Sequence, residues 1–244
     1  MNHTHFHIGC SGYYYPQWKN KFYPEGLAQK KWLAYYSTIF NTVELNGTFY
    51  RIPKLNDLIK YSTVTPTDFK FSVKVNKYIT HNLKLKNAKK DISDFQDLIT
   101  EGLEKKCAHF LFQMPPSFHC NEENLGRVLE NIPHKFMNVI EFRHVSWWNE
   151  KVCEILSKAS ISFCNIDFPG LQTSFLHTTS HFYLRLHGNP ELFKSSYNEE
   201  HLNFFYKKIP ADSKSCSVYF NNTIEEAAYI NARQLMNIIS HHHS

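Results

Sequence analysis

Charged and amide side chains recur at two-residue spacing near the ends of short apolar runs in this chain. Glu44 and Asn46 alternate with Val43 and Leu45, Glu141 and Arg143 with Ile140 and Phe142, and Arg185 and His187 with Leu184 and Leu186. Lys74 sits between Val73 and Val75, Gln113 between Phe112 and Met114, Asp167 ends its run, and Tyr219 precedes Asn221 by two positions. Successive side chains on a β-strand point to opposite faces, so each polar set shares one face and leaves an apolar face behind it. Carboxylates beside guanidiniums, an ammonium and an imidazole are groups that bind an anion and move a proton on it. Arg143 and Arg185 would give bidentate contacts to a phosphate and Lys74 a point charge. Glu44 or Glu141 would act as general base and His187 as the acid. The candidate catalytic residues are therefore Glu44, Glu141, Asp167 and His187, and the candidate substrate-binding residues Asn46, Lys74, Gln113, Arg143, Arg185, Tyr219 and Asn221.

Other chemistries compete for the same residues. Glu44, Glu141, Asp167, His144 and His187 are of types that hold a divalent cation, as in a metal-dependent phosphoesterase. No ligand spacing among them is diagnostic and the neighbouring guanidiniums repel a metal, so a metal is not favoured and no other cofactor is indicated. A structural reading pairs Glu44, Glu141 and Asp167 with Lys74, Arg143 and Arg185 as a self-neutralising network. Tyr13, Tyr14, Tyr15, Trp18, Phe49, Tyr50, Trp147 and Trp148 offer surface for a sugar, a base or a protein partner, although packing against helices is the commoner use of such rings. Cys10, just after a strand and without a base partner, reads as a structural thiol.

The elements that position these residues alternate from end to end. Eight strand candidates appear: Phe6 to Gly9, Thr42 to Asn46, Phe69 to Val75, His109 to Met114, Asn138 to Phe142, Ser162 to Asp167, Phe182 to His187 and Ser217 to Asn221. Between them lie stripes at helical spacing, among them Leu125, Val128, Leu129, Ile132, then Val152, Ile155, Leu156, Ala159, and Leu202, Phe205, Tyr206, Ile209. Thr223 and Glu226 have the spacing of a capping box that would open the last helix. Strands alternating with helices imply parallel pairing through right-handed crossovers. Without a G-x-G-x-x-G after the first strand, eight units at this length predict a TIM-type (β/α)8 barrel over residues 1–240 as one domain, with 241–244 a His-rich tail. The sixth crossover, Phe168 to Ser180, is too short and too rich in Thr, Ser and Gly for a normal helix, so it is expected to be irregular. The polar residues then gather at the carboxyl ends of the strands, where barrel enzymes carry out their chemistry. The amino ends read as apolar or neutral.

Composition bounds the rest. The chain has 244 residues, 42% hydrophobic and 16% aromatic, enough for a packed core. A net charge of +5 falls short of the dense basic stripe of a dedicated nucleic-acid binder, while permitting an anionic small molecule or nucleic acid as partner. No apolar run is long enough to cross a bilayer and Met1 to His5 has no leader pattern, so the cytoplasm is the expected compartment and no membrane partner is expected. Six cysteines without a C-x-x-C pair read as reduced, mostly buried thiols.

Six ordered motifs form a recognisable set: Ile8-Gly9-Cys10-Ser11-Gly12-Tyr13; Asn41 to Asn46 with Thr48 to Pro53; Leu111 to Phe118; Glu141-Phe142-Arg143-His144; Tyr183 to Gly188; and Tyr219-Phe220-Asn221-Asn222. From the first strand to the last helix the chain resembles the domain of unknown function 72 family, also called YecE-like. The resemblance implies a TIM-type barrel, distantly similar in fold to sugar isomerases and endonuclease IV, and specifies no reaction. Cys10 stands where the family usually has Thr, Tyr13 where it has Trp, and Val145 where it has Pro. The expected function is binding, or hydrolase or isomerase action, on a phosphate-bearing ligand. The alternatives are an endonuclease IV-like phosphoesterase or nucleic-acid binder, and a non-catalytic partner-binding protein.

Overall fold

The computed structural model describes residues 4–171 and 174–243; Met1 to His3, Gln172 and Thr173 in the sixth crossover, and Ser244 of the His-rich tail lie outside the described residues. Eight strands alternate with helices. The strands are β1 (His5–Cys10), β2 (Thr42–Leu45), β3 (Lys70–Lys74), β4 (Cys107–Gln113), β5 (Asn138–Glu141), β6 (Ser162–Asp167), β7 (His181–Leu186) and β8 (Ser215–Phe220). The helices are α1 (Trp32–Tyr36), α2 (Gly47–Tyr50), α3 (Leu55–Val64), α4 (Lys89–Leu103), α5 (Glu122–Asn131), α6 (Glu150–Lys158), α7 (Glu199–Lys207) and α8 (Ala227–His243). All ladders are parallel, in the order β1-β8-β7-β6-β5-β4-β3-β2, and β1 and β2 lie side by side to make a nearly closed TIM-type barrel.

Local chemistry starts several helices. Asn121, Asn149 and Asn198 precede α5, α6 and α7, and each side chain accepts from the backbone N–H three residues on. The predicted capping box does not open the last helix. Helix α8 begins after Glu226, whose carboxylate instead takes Lys21 Nζ at 2.6 Å and the Tyr229 hydroxyl at 2.6 Å. His241 to His243 continue α8 without a break.

The sixth crossover holds no helix among its described residues. Asn165, on the outer face of β6, takes its place as a fastener: its Oδ1 accepts from Leu176 N at 2.8 Å and its Nδ2 donates to Leu176 O at 2.9 Å. Thr178 adds a second, donating to Ile161 O and accepting from Phe163 N.

The junction between β1 and β2 is made by side chains. The Asn41 amide donates to Phe6 O and accepts from Ile8 N, and the Tyr36 hydroxyl accepts from Cys10 N at 2.7 Å and donates to Thr42 O at 3.1 Å. The strands meet closely at Gly9, where a Cβ would stand 2.2 Å from Thr42 O, so only glycine fits.

Within the barrel, inward residues form layers. Leu111, Val139, Cys164, Ile166, Tyr183 and Tyr219 fill the middle. Below them the amino end is polar but neutral: His7, His109 and His181 gather there, with His109 and His181 stacked at 4.1 Å. His181 bonds Ser215, while His7 Nδ1, His109 Nδ1 and His181 Nε2 are buried without a hydrogen-bond partner among the described residues. Burial holds all three well below the usual imidazole range, His7 at about 4 and His181 at about 3. Among the described residues, no helix is long and apolar enough to cross a membrane.

Candidate functional site

At the carboxyl end, β2, β5 and β7 bring Glu44, Glu141 and Arg185 together with no exposure at all. Arg185 bridges the two carboxylates: Nε and Nη2 donate to Glu44 Oε1 at 3.1 and 2.7 Å, and Nη1 donates to Glu141 Oε2 at 2.5 Å. Arg143, two residues past β5, donates from Nε to Glu141 Oε1 and lays its guanidinium 4.1 Å from the Phe168 ring centroid. Glu44 also accepts from Ser11 Oγ and from the Tyr183 hydroxyl, each at 2.7 Å. The single Tyr183 proton is thereby committed, so Ser72 Oγ donates to Tyr183 at 2.6 Å. Burial pushes the Glu141 carboxyl up, but Arg143, Arg185 and Lys74 more than offset it and hold it at about 2.

His187 is fully buried at the centre. Its Nε2 meets Arg143 Nη2 at 3.2 Å and Arg185 Nη1 at 3.5 Å, both donors, so Nε2 accepts and the proton sits on Nδ1. Asn221 Nδ2 lies 2.8 Å from Nδ1, and turning the amide about, its two ends being alike in outline, puts Oδ1 there to accept that proton. Burial, then Arg143, Arg185 and Lys74, hold the imidazole well below its usual range. Its surroundings thus favour the neutral imidazole. The backbone leaves the strand at Gly188 with φ 85, where a Cβ would meet Glu191 O at 3.0 Å.

Lys74, at the end of β3, is the charged group of this layer left over. Its Nζ lies 4.1 Å from the Phe49 ring centroid and makes no hydrogen bond or ion pair among the described residues. Burial, then Arg185, lower its pKa to about 7 against the opposing pull of Glu141 and Glu44.

Several predicted residues stand elsewhere. Asp167 leaves the cluster because Cys164 and Ile166 are the inward residues of β6; it binds the Tyr197 hydroxyl at 2.6 Å and Asn189 Nδ2 at 3.1 Å. Tyr219 is inward and fully buried, with its hydroxyl on Thr42 Oγ1. Arg185 has no exposed edge for bidentate ligand contact, since both carboxylates take it. Gln113 borders a depression of about 350 Å³ that also includes Arg143, Phe168 and Leu192. Asn46 donates to Ser11 O at 3.3 Å and borders a separate cleft of about 590 Å³, lined with Tyr13, Tyr14, Tyr15, Arg51 and Tyr61. The five residues named for a metal do not gather as one set: His187 Nε2 comes within 3.9 Å of Glu141 Oε1, but His144 turns to Ser146, Asp167 to Tyr197, and the two glutamates to guanidiniums. Among the described residues, no three His, Cys, Asp or Glu side chains could hold a metal ion. Cys10 is buried and its thiol is pushed up by burial, consistent with a structural role. Trp18 and Trp147 are core residues, whereas Tyr14 and Tyr50 are 54% and 72% exposed.

Ser11, Tyr183, Ser72 and Phe49 complete the site. Tyr183 shares its face with Arg185 and His187, and Ser72 with Lys74, a signal present in the strand alternation. Phe168, which covers Arg143 and meets His187 edge-on at 5.5 Å, comes from an irregular loop that carries no such signal.

Fold and site together define a TIM-type barrel with a buried ion-pair network at its carboxyl end. The chain belongs to the family described as protein of unknown function DUF72, whose model matches residues 7–244. It is 33% identical over 135 residues to the UPF0759 protein YunF of Bacillus subtilis, a stretch covering 52% of this chain and 48% of that protein. It is 29% identical over 137 residues to the UPF0759 protein YecE of Escherichia coli K12, covering 53% and 47%. The matched stretches thus span about half the length of these curated relatives. A DUF72 family protein from Thermotoga maritima superposes with a TM-score of 0.87 at 30% identity, covering 97% of this chain and 99% of that one. One from Enterococcus faecalis gives 0.81 at 20% identity, covering 98% and 99%, a likeness of fold alone.

Proposed function

We propose that the carboxyl end of the barrel binds a small phosphate-bearing anion, held by Lys74 and the outer edge of Arg143. One observation carries this reading: two guanidiniums are matched by two carboxylates, and Lys74 remains as an uncommitted cation beside them. An arriving dianion would offset the positive charge left in this layer, and the guanidinium edge of Arg143 would give it directed N–H donors. Arg185 is a positioning residue that fixes Glu44 and Glu141. The Phe168 ring covers Arg143, so it must shift for a ligand to reach the guanidinium face.

Phosphate at about ten times its Kd should stabilise the protein by about 1.4 kcal/mol, because a ligand bound by the native state alone shifts the unfolding equilibrium. Arg143→Met should fold, losing about 1–3 kcal/mol with its bond to Glu141, since Arg185 still pairs that carboxylate. It should also lose the phosphate effect. Thermal melts with phosphate, sulfate and a short oligonucleotide check this, and a wild type indifferent to every anion would sink the reading.

A further inference from the structure

Lys74 is an unusual choice for a phosphate contact alone. A lysine that serves as a point charge works best fully protonated, and this one is placed where protonation is opposed. Its nitrogen faces the Phe49 ring, and Arg185 and Arg143 are its nearest like charges. The carboxylates that would hold it as an ammonium, Glu44 and Glu141, are taken by the guanidiniums. The backbone beneath it is fixed by Thr48 Oγ1, which donates to Lys74 O at 2.6 Å. His81, whose imidazole meets Phe49 edge-on at 5.0 Å, is itself held neutral at about 4 by burial and then by Lys74, so it adds no charge beside the amine. A desolvated lysine beside another cation, without a hydrogen-bond partner, is the environment of an amine nucleophile.

We infer that Lys74 condenses with the carbonyl group of a small phosphorylated aldehyde or ketone; this inference rests on the anion reading above, with Arg143 meeting the phosphate. The nitrogen lone pair forms the C–N bond as the C=O π electrons move to oxygen. One N–H proton passes to that oxygen to give the carbinolamine. The C–O bond then breaks, the second N–H proton leaves with the oxygen, and the products are an imine and one water. No oxidant or further reactant is needed. An imine activates the neighbouring C–H, which serves an isomerase better than a hydrolase.

Wild-type protein treated at pH 7 with glycolaldehyde phosphate and sodium cyanoborohydride, which reduces the imine to a stable secondary amine, tests this by peptide mass mapping. Lys74 should be modified at least about tenfold faster than the exposed Lys60 and Lys90. Inorganic phosphate should slow it. Lys74→Arg should abolish modification at that position, because a guanidinium has no free amine to condense. Modification of Lys74 no faster than of Lys60 overturns the nucleophile, whatever the phosphate melts show. Equal labelling by unphosphorylated glycolaldehyde, with no competition from phosphate, overturns the phosphorylated substrate class and the anion reading while leaving the amine reactive.

Discussion

Arg185→Met should destabilise the protein by about 3–5 kcal/mol, because it leaves Glu44 and Glu141 as buried carboxylates that have lost their shared counter-charge. For a domain of this size that lowers Tm by roughly 10 °C. Arg185 donates to both carboxylates from a position with no solvent contact, so no water replaces it. Arg185→Lys should fail nearly as badly, since one ammonium cannot span two carboxylates as a planar guanidinium does. Arg143→Met should cost less, its side chain being 10% exposed and its carboxylate partner still held. Melting curves of the three variants give the order directly. An Arg185→Met protein as stable as wild type would mean that the network carries no structural weight.

Acidification should remove stability well before the carboxylates titrate. His7, His109, His181 and His187 all have folded pKa values depressed by burial, His7 to about 4 and His181 to about 3. Between the folded value and the ordinary value near 6.5, the unfolded chain binds the proton and the folded chain does not. The contribution of these groups is therefore complete above pH 6.5 and is lost as pH falls toward 4. Each group removes up to about 1.4 kcal/mol per pH unit in that window. Glu141 follows later: with its folded pKa at about 2, its share is present above pH 4.5 and lost between 4.5 and 2. Urea titrations from pH 8 to 4 should show a midpoint that drops steeply below pH 6.5, and His109→Gln should flatten that drop. A midpoint constant between pH 7 and 5 would contradict the neutral histidine layer.

The barrel was legible because alternation within strands and helical stripes between them are local signals that the fold does not override. The same alternation put Glu44, Glu141, Arg185 and His187 on one face, and they meet. It misplaced Asp167, which ends β6 one residue out of step with the inward Cys164 and Ile166, because the end of a run does not reveal its parity. It also missed the amino-end histidines. Nothing in the local pattern links His7, His109 and His181, and only the closure of β1, β4 and β7 around one axis brings them together. The division of labour between the arginines was invisible for a related reason. Arg143 and Arg185 read alike in sequence, and their different exposure arises from how far each stands along its strand axis.

The side-chain junction between β1 and β2 orders events in time. Strand β1 gains its backbone ladder from β8, near the other end of the chain, in a register that runs from His5 opposite Ser215 to Cys10 opposite Phe220. On a ribosome, the first strand made must therefore wait for the last before its backbone ladder forms, and until then only Asn41 and Tyr36, on the amides of Ile8 and Cys10, can hold it. Pulse-labelled hydrogen exchange during refolding should protect the amides of β1 in the same phase as those of β8 and after those of β3 and β4. Protection of β1 together with β2, ahead of β8, would mean that the two side chains suffice to hold the first strand in place.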